Sequence, residues 1–92
     1  MIASFGDRET AALHGEQFVR RFQVVARAAR RKLVMLEAAA RLEDLRVPPA
    51  NRLEALRGDL QGLHSIRVND QWRLVFRWAE GHAHEVRLMD YH

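Results

Sequence analysis

Ser65-Ile66-Arg67-Val68-Asn69-Asp70-Gln71-Trp72-Arg73-Leu74-Val75-Phe76-Arg77-Trp78 is the stretch that decides the fold of this chain. Successive side chains of a strand point to opposite faces, so residue parity sorts them. Ile66, Val68, Trp72, Leu74, Phe76 and Trp78 are all even-numbered and all apolar. The following run, Ala83 to Asp90, adds Val86 and Leu88 to the same set. The pattern predicts antiparallel strands at Ser65–Val68, Trp72–Trp78 and Ala83–Asp90 that share one buried face. Pairing Val68 with Trp72 makes Asn69-Asp70-Gln71 the connecting loop and sets Arg67 opposite Arg73. The same logic pairs Phe76 with Val86 and Trp78 with His84. Arg77 then faces Glu85 as a structural ion pair, and Arg73 faces Met89 and lies diagonal to Tyr91.

Upstream, Leu53 to Leu56 reads as one more short strand. Leu45-Arg46-Val47-Pro48-Pro49-Ala50-Asn51 before it breaks a helical pattern. That pattern predicts a helix from about Gln23 to Ala40, with Val25, Ala29, Leu33, Leu36 and Ala40 stepping by three or four. Its other face carries Arg27, Arg30, Arg31 and Lys32, either a solvated surface or an attraction for nucleic acid or an acidic partner. A first helix runs through about Leu13, with Asp7 as N-cap, Glu9 in its first turn and Gly15 ending it. Met1 to Phe5 is a short leading strand. The helices are the only available cover for the apolar sheet face. The expectation is a single α+β domain over residues 1–92, two N-terminal helices packed on one face of a small, mainly antiparallel sheet.

A length of 92 residues allows one small domain, and 48% hydrophobic content supplies it with a core. The absence of cysteine excludes disulfides and thiolate metal sites and fits a reducing compartment. No apolar run approaches a membrane span, and Met1-Ile2-Ala3-Ser4-Phe5-Gly6 lacks the regions of a signal peptide. A soluble, cytoplasmic protein is expected. The net charge is +3 and Lys32 is the only lysine among 15 cations. An arginine-rich composition suits phosphate contacts, and a GC-rich genome also produces it.

The odd-numbered sheet face carries Arg67, Arg73, Val75, Arg77, Glu85, Arg87, Met89 and Tyr91. With no second layer to cover it, this face brings Arg67 and Arg73 towards the closing Asp90-Tyr91-His92. Such a set suits a phosphodiester. RNA cleaves itself when its 2′-hydroxyl loses a proton and attacks the adjacent phosphate. His92 can act as base or acid, since an unperturbed imidazole titrates near ~6.5. Asp90 can orient it. Arg57 and Arg73 can hold the phosphate and stabilise its developing charge. Tyr91 can stack on a base. This chemistry requires no metal or cofactor. His14, His82 and His84 are scattered along the surface, and His64 either joins the arginines or caps its strand. Trp72 and Trp78 belong to the core by parity.

Leu53-Glu54-Ala55-Leu56-Arg57-Gly58-Asp59-Leu60-Gln61-Gly62, Ser65-Ile66-Arg67-Val68-Asn69, Trp72-Arg73-Leu74-Val75-Phe76-Arg77 and Asp90-Tyr91-His92 together resemble the HigB-type toxins of the RelE/ParE superfamily of toxin–antitoxin modules. The likeness extends over nearly the whole chain, including the Met-Ile-x-Ser-Phe opening. It implies the same α+β fold and an endoribonuclease that cuts mRNA on the translating ribosome. It also implies a HigA-type helix-turn-helix antitoxin, with operator DNA bound only through the antitoxin complex. Carried over by position, Arg57, Arg73, Asp90, Tyr91 and His92 are catalytic, and Glu54, Arg67 and Arg77 contact RNA or phosphate. Glu54 stands where relatives often carry histidine, and it either substitutes as a base or weakens the activity. His64 stands where they often carry tryptophan. Arg57 replaces a frequent lysine, and a guanidinium does not donate its proton. The alternative is a ParE-like inhibitor of DNA gyrase without nuclease chemistry. A third reading, a toxin with decayed activity, rests on Glu54.

Overall fold

The computed structural model describes residues 1–91. Two helices, α1 (Arg8–His14) and α2 (Ala26–Ala38), precede four strands, β1 (Glu54–Ala55), β2 (His64–Arg67), β3 (Trp72–Ala79) and β4 (His82–Asp90). The sheet is antiparallel throughout, in the order β1-β2-β3-β4. The expected α+β architecture is therefore what the chain adopts.

The even-numbered apolar set does form the helix-facing side. Ile66, Leu74, Phe76 and Val86 are fully buried with Leu13, Phe22, Leu33 and Leu36 from the helical half. Phe22 meets Trp72 edge-on, at 5.5 Å between ring centroids and 87° between planes. Burying each large side chain of this kind stabilises by about 1.5–3 kcal/mol.

The helices differ from expectation at their ends. Asp7 caps α1 as predicted, its carboxylate accepting from the Thr10 amide at 2.7 Å. The second helix starts later than Gln23, because a 3-10 turn at Arg20–Phe22 comes first, and it stops at Ala38. Ala39 is buried and Ala40 is exposed, so the last apolar position predicted is one residue too far. A 3-10 turn at Leu42–Arg46 follows, with Asp44 in its capping box. The Asp44 carboxylate accepts from the amides of Ala40 and Arg41, both at 3.0 Å, and these bonds hold its pKa below the ordinary value of 3.8.

Half of the basic helix face is structural. Arg30 donates to the carbonyls of Leu13 at 3.1 Å and Gln17 at 3.3 Å, which satisfies the C-terminal end of α1. Lys32 donates to the side-chain oxygen of buried Asn51 at 2.5 Å. Burial, and then the charges of Arg31 and Arg67, push its pKa down. Arg27 and Arg31 remain exposed.

The β2–β3 and β3–β4 registers carry one confirmation and one correction. Arg67 pairs with Arg73, and Val68 donates to the Trp72 carbonyl at 2.9 Å, as parity requires. The Asn69 side chain accepts from the Gln71 and Trp72 amides and fixes the loop. Between β3 and β4 the register slips by one residue, so Arg77 pairs with His84 and Trp78 with Ala83. The expected Trp78–His84 pair is thereby displaced, while Phe76 and Val86 fall at the bulge itself. Glu85, at φ +56, is the extra residue of this bulge. The slip turns Ala83 into the core, where it is fully buried.

The leading segment joins the outer edge of β4 through isolated parallel bridges at Ile2–Ala83 and Phe5–Val86 rather than as a full strand. Thr10 covers the next edge group, its hydroxyl accepting from the buried Leu88 amide at 2.9 Å. Among the described residues no helix is long and apolar enough to cross a membrane.

Candidate active site

Arg73 is the centre of the non-helical face, and it is not open. The residue is only 8% exposed. Its Nη1 lies 3.2 Å from Glu54 Oε1, and its Nη2 donates to the Arg52 carbonyl at 2.7 Å. Arg52 adopts a left-handed backbone, φ 46 and ψ 57, after a 3-10 turn at Pro49–Asn51. The Tyr91 ring covers the guanidinium at 5.4 Å from Cζ. Ser65 and Val75 on the same face are also buried. Leu60 and Leu63, from the segment between β1 and β2, line a cavity of about 150 Å³ with Val75, Glu85, Arg87 and Met89. The expected uncovered face therefore carries a partial second layer. Leu60 and Leu63 have no strand alternation around them, so nothing in the pattern predicted their place.

Arg67 and Arg73 do face each other, and each turns to its own acceptor. Arg67 pairs with Asp70 in its own loop, while Arg73 turns to Glu54 and Arg52. Separate acceptors remove the like-charge cost without a ligand. Arg77 and Glu85 form the expected ion pair at 3.1 Å, out in solvent, although the bulge means that they are not register partners.

The tail is anchored from the β2–β3 loop. Gln71 donates its side-chain amide to Asp90 at 3.1 Å, and its carbonyl accepts from the Tyr91 amide at 2.7 Å. This clamp sets Tyr91 over Arg73. His92, the predicted imidazole, lies outside the described residues. Arg57 is exposed at the start of the 3-10 turn Gly58–Leu60, and its side chain makes no hydrogen bond or ion pair among the described residues.

The structure thus brings Glu54, Arg73 and Tyr91 together and engages Arg67 and Arg77 with carboxylates elsewhere. His64 is not among the arginines. It pairs with Phe76 and stacks on that ring at 6.4 Å, on the helix-facing side. Sequence reasoning missed Arg52, which contributes only its carbonyl, and Ser65, a hydroxyl on the odd face whose signal was its parity. Chemically, the set offers a guanidinium able to grip an oxyanion, a half-exposed carboxylate already in its grip, and an aromatic ring at the rim.

The fold of the chain is similar to those of two solved structures. It matches a YafQ mutant from E. coli with a TM-score of 0.62 at 12% identity, over 98% of this chain and 93% of that one. It matches the YoeB-YefM complex from Staphylococcus aureus with a TM-score of 0.58 at 20% identity, over 100% and 98%. At such identities the likeness concerns the fold. The family model described as "RelE-like toxin of type II toxin-antitoxin system HigB" matches residues 16–92, so the chain belongs to the HigB-like toxin family. "Toxin HigB-1" of Vibrio cholerae serotype O1 is 57% identical over 53 residues, 58% of this chain and 56% of that relative. "Endoribonuclease HigB" of Proteus vulgaris is 39% identical over 41 residues, 45% of each. The chain spans about half the length of the curated relatives it matches.

Proposed function

We propose that the protein is the toxin of a type II toxin–antitoxin module and cuts mRNA on the ribosome in the bacterial cytoplasm. The observation that carries this reading is the Tyr91 ring lying over the Arg73 guanidinium, because it joins the tail to a group that holds phosphate. In the reaction, a base takes the proton of the 2′-hydroxyl, and the 2′-oxygen attacks the adjacent phosphorus. The new 2′-O–P bond forms as the P–O5′ bond breaks, and an acid returns a proton to the 5′-oxygen. The products are a 2′,3′-cyclic phosphate and a 5′-hydroxyl. His92 is the group in the sequence suited to exchange these protons near neutral pH. Asp90 orients it, Arg73 and Arg57 stabilise the charge on the phosphorane, and Tyr91 stacks on a base flanking the cut.

The partner in this reading is a HigA-type helix-turn-helix antitoxin, and operator DNA is bound through that complex. The single-domain extent 1–92 and the phosphate contacts of Arg67 and Arg77 belong to the same proposal. For either arginine to touch RNA it must exchange its carboxylate partner for a phosphate oxygen. The test is induction in cells of wild type, Arg73→Ala and His92→Gln with mapping of mRNA ends. Growth arrest with discrete cuts in wild type, and neither in the variants, is the expected result. Cuts that persist in both variants overturn the assignment. Arrest with supercoiling defects and intact mRNA favours gyrase as the target.

A further inference from the structure

Two donors on the non-helical face are left over. Arg73 Nε and Ser65 Oγ are buried, and neither has a hydrogen-bond partner among the described residues. Ser65 is fully enclosed and Arg73 is 8% exposed. Buried polar groups are nearly always paired, so two unpaired donors together call for an explanation. The register places the two residues diagonally on one face of adjacent strands. Ser65 pairs directly with Glu54 on β1 and with Val75 on β3, and Arg73 follows two residues before Val75. Ser65 therefore lies on β2, the strand between those that carry the two members of the Glu54–Arg73 ion pair.

The two members are not held alike. The Arg73 side chain is 10% exposed and is also tied to the Arg52 carbonyl, whereas the Glu54 side chain is 48% exposed. Glu54 belongs to a two-residue strand at the sheet edge. The carboxylate is the member that can leave. A carboxylate and a phosphate make the same demand on a guanidinium, charged oxygens at the end of N–H donors.

We propose that Glu54 occupies the substrate-phosphate position in the unbound protein, and that Ser65 is a further phosphate-binding residue, donating with Arg73 Nε once that carboxylate swings out. The identity of the phosphate as an RNA linkage rests on the nuclease reading above. In this arrangement Glu54 competes with substrate and does not act as the base. The Arg52 carbonyl keeps the guanidinium in place during the exchange. The fully buried hydroxyl becomes reachable only when the ion pair above it opens.

The test is the affinity of a 2′-O-methyl oligoribonucleotide, which cannot be cleaved, for wild type, Glu54→Gln and the Glu54→Gln/Ser65→Ala double variant. Removing the competing charge should tighten binding at least ~threefold, and adding Ser65→Ala should cancel most of that gain. Glu54→Asp, which draws the carboxylate back by one methylene, serves if the glutamine variant does not fold, and should give a smaller gain. In wild type, titration with inorganic phosphate should shift the Arg73 Nε–H resonance. Unchanged or weaker binding by both Glu54 variants, an unaffected Nε–H resonance, or a double variant as tight as Glu54→Gln overturns the proposal. If mRNA cuts are absent in cells while these binding changes occur, only the nuclease reading fails. If cuts occur while binding ignores Glu54 and Ser65, only this proposal fails.

Discussion

At the scale of single residues, the protein hides polar atoms in places that a surface-and-core reading does not anticipate. Thr10 is fully buried, and its hydroxyl is the acceptor for the Leu88 amide on the outer edge of β4. Thr10→Val keeps the shape and orphans that amide, which should cost about 1–3 kcal/mol in denaturant unfolding. Ser65 is the opposite case, because its hydroxyl is buried with no partner among the described residues. Ser65→Ala removes a group that cost free energy to desolvate, so the variant should be as stable as wild type or more stable, by up to ~3 kcal/mol, and should melt no lower. A clear drop in melting temperature would mean that the hydroxyl is bonded in solution. Gly6 shows a third constraint. A Cβ there would lie 2.6 Å from Arg87 Nε and 2.8 Å from the Glu85 carbonyl. Gly6→Ala should loosen the leading segment from β4, seen as faster amide exchange at Gly6 and Val86.

At the scale of elements, alternation in Ile66, Val68, Trp72, Leu74 and Phe76 was enough to find the strands, because one face is buried against α1 and α2. It was not enough to find the bulge. Alternation set Trp78 opposite His84, and the extra residue Glu85, with its left-handed backbone, goes with the observed Trp78–Ala83 pairing instead. The Arg73–Tyr91 approach was legible for the same reason as the strands, since parity and register both place them on one face. The covering of that face was not, because Leu60 and Leu63 lie in a segment without period, and the Arg52 contribution is a backbone atom.

The 3-10 turn Leu42–Arg46 that follows α2 gives an element-scale prediction with a pH sign. Asp44 accepts from the Ala40 and Arg41 amides, and its folded pKa lies below 3.8. The stabilisation is fully present above the unfolded value of 3.8 and is lost as pH falls through the folded one. Asp44→Asn should therefore melt below wild type at neutral pH, and the gap should close in acid below both values. A gap that stays constant with pH would assign the effect to something other than the carboxylate.

At the scale of the whole molecule, the chain is a two-sided sheet with unequal covers. One side carries the hydrophobic core under the helices, where Phe76→Ala should cost about 3–5 kcal/mol. The other side carries a thin cover that leaves Arg73 gripped but not sealed, with the half-exposed Glu54 at one edge and Tyr91 at the other. The proposed chemistry lies on the side away from the core, so substitutions at Arg73 should change activity far more than melting temperature. The most direct measurement is the rate at which purified wild type and Arg73→Ala release 2′,3′-cyclic phosphate ends from mRNA on programmed ribosomes, with melting curves taken on the same samples. The expected result is a loss of about 10²–10³-fold in rate for Arg73→Ala while the fold is retained. A correctly folded Arg73→Ala variant that cuts at the wild-type rate would contradict the account.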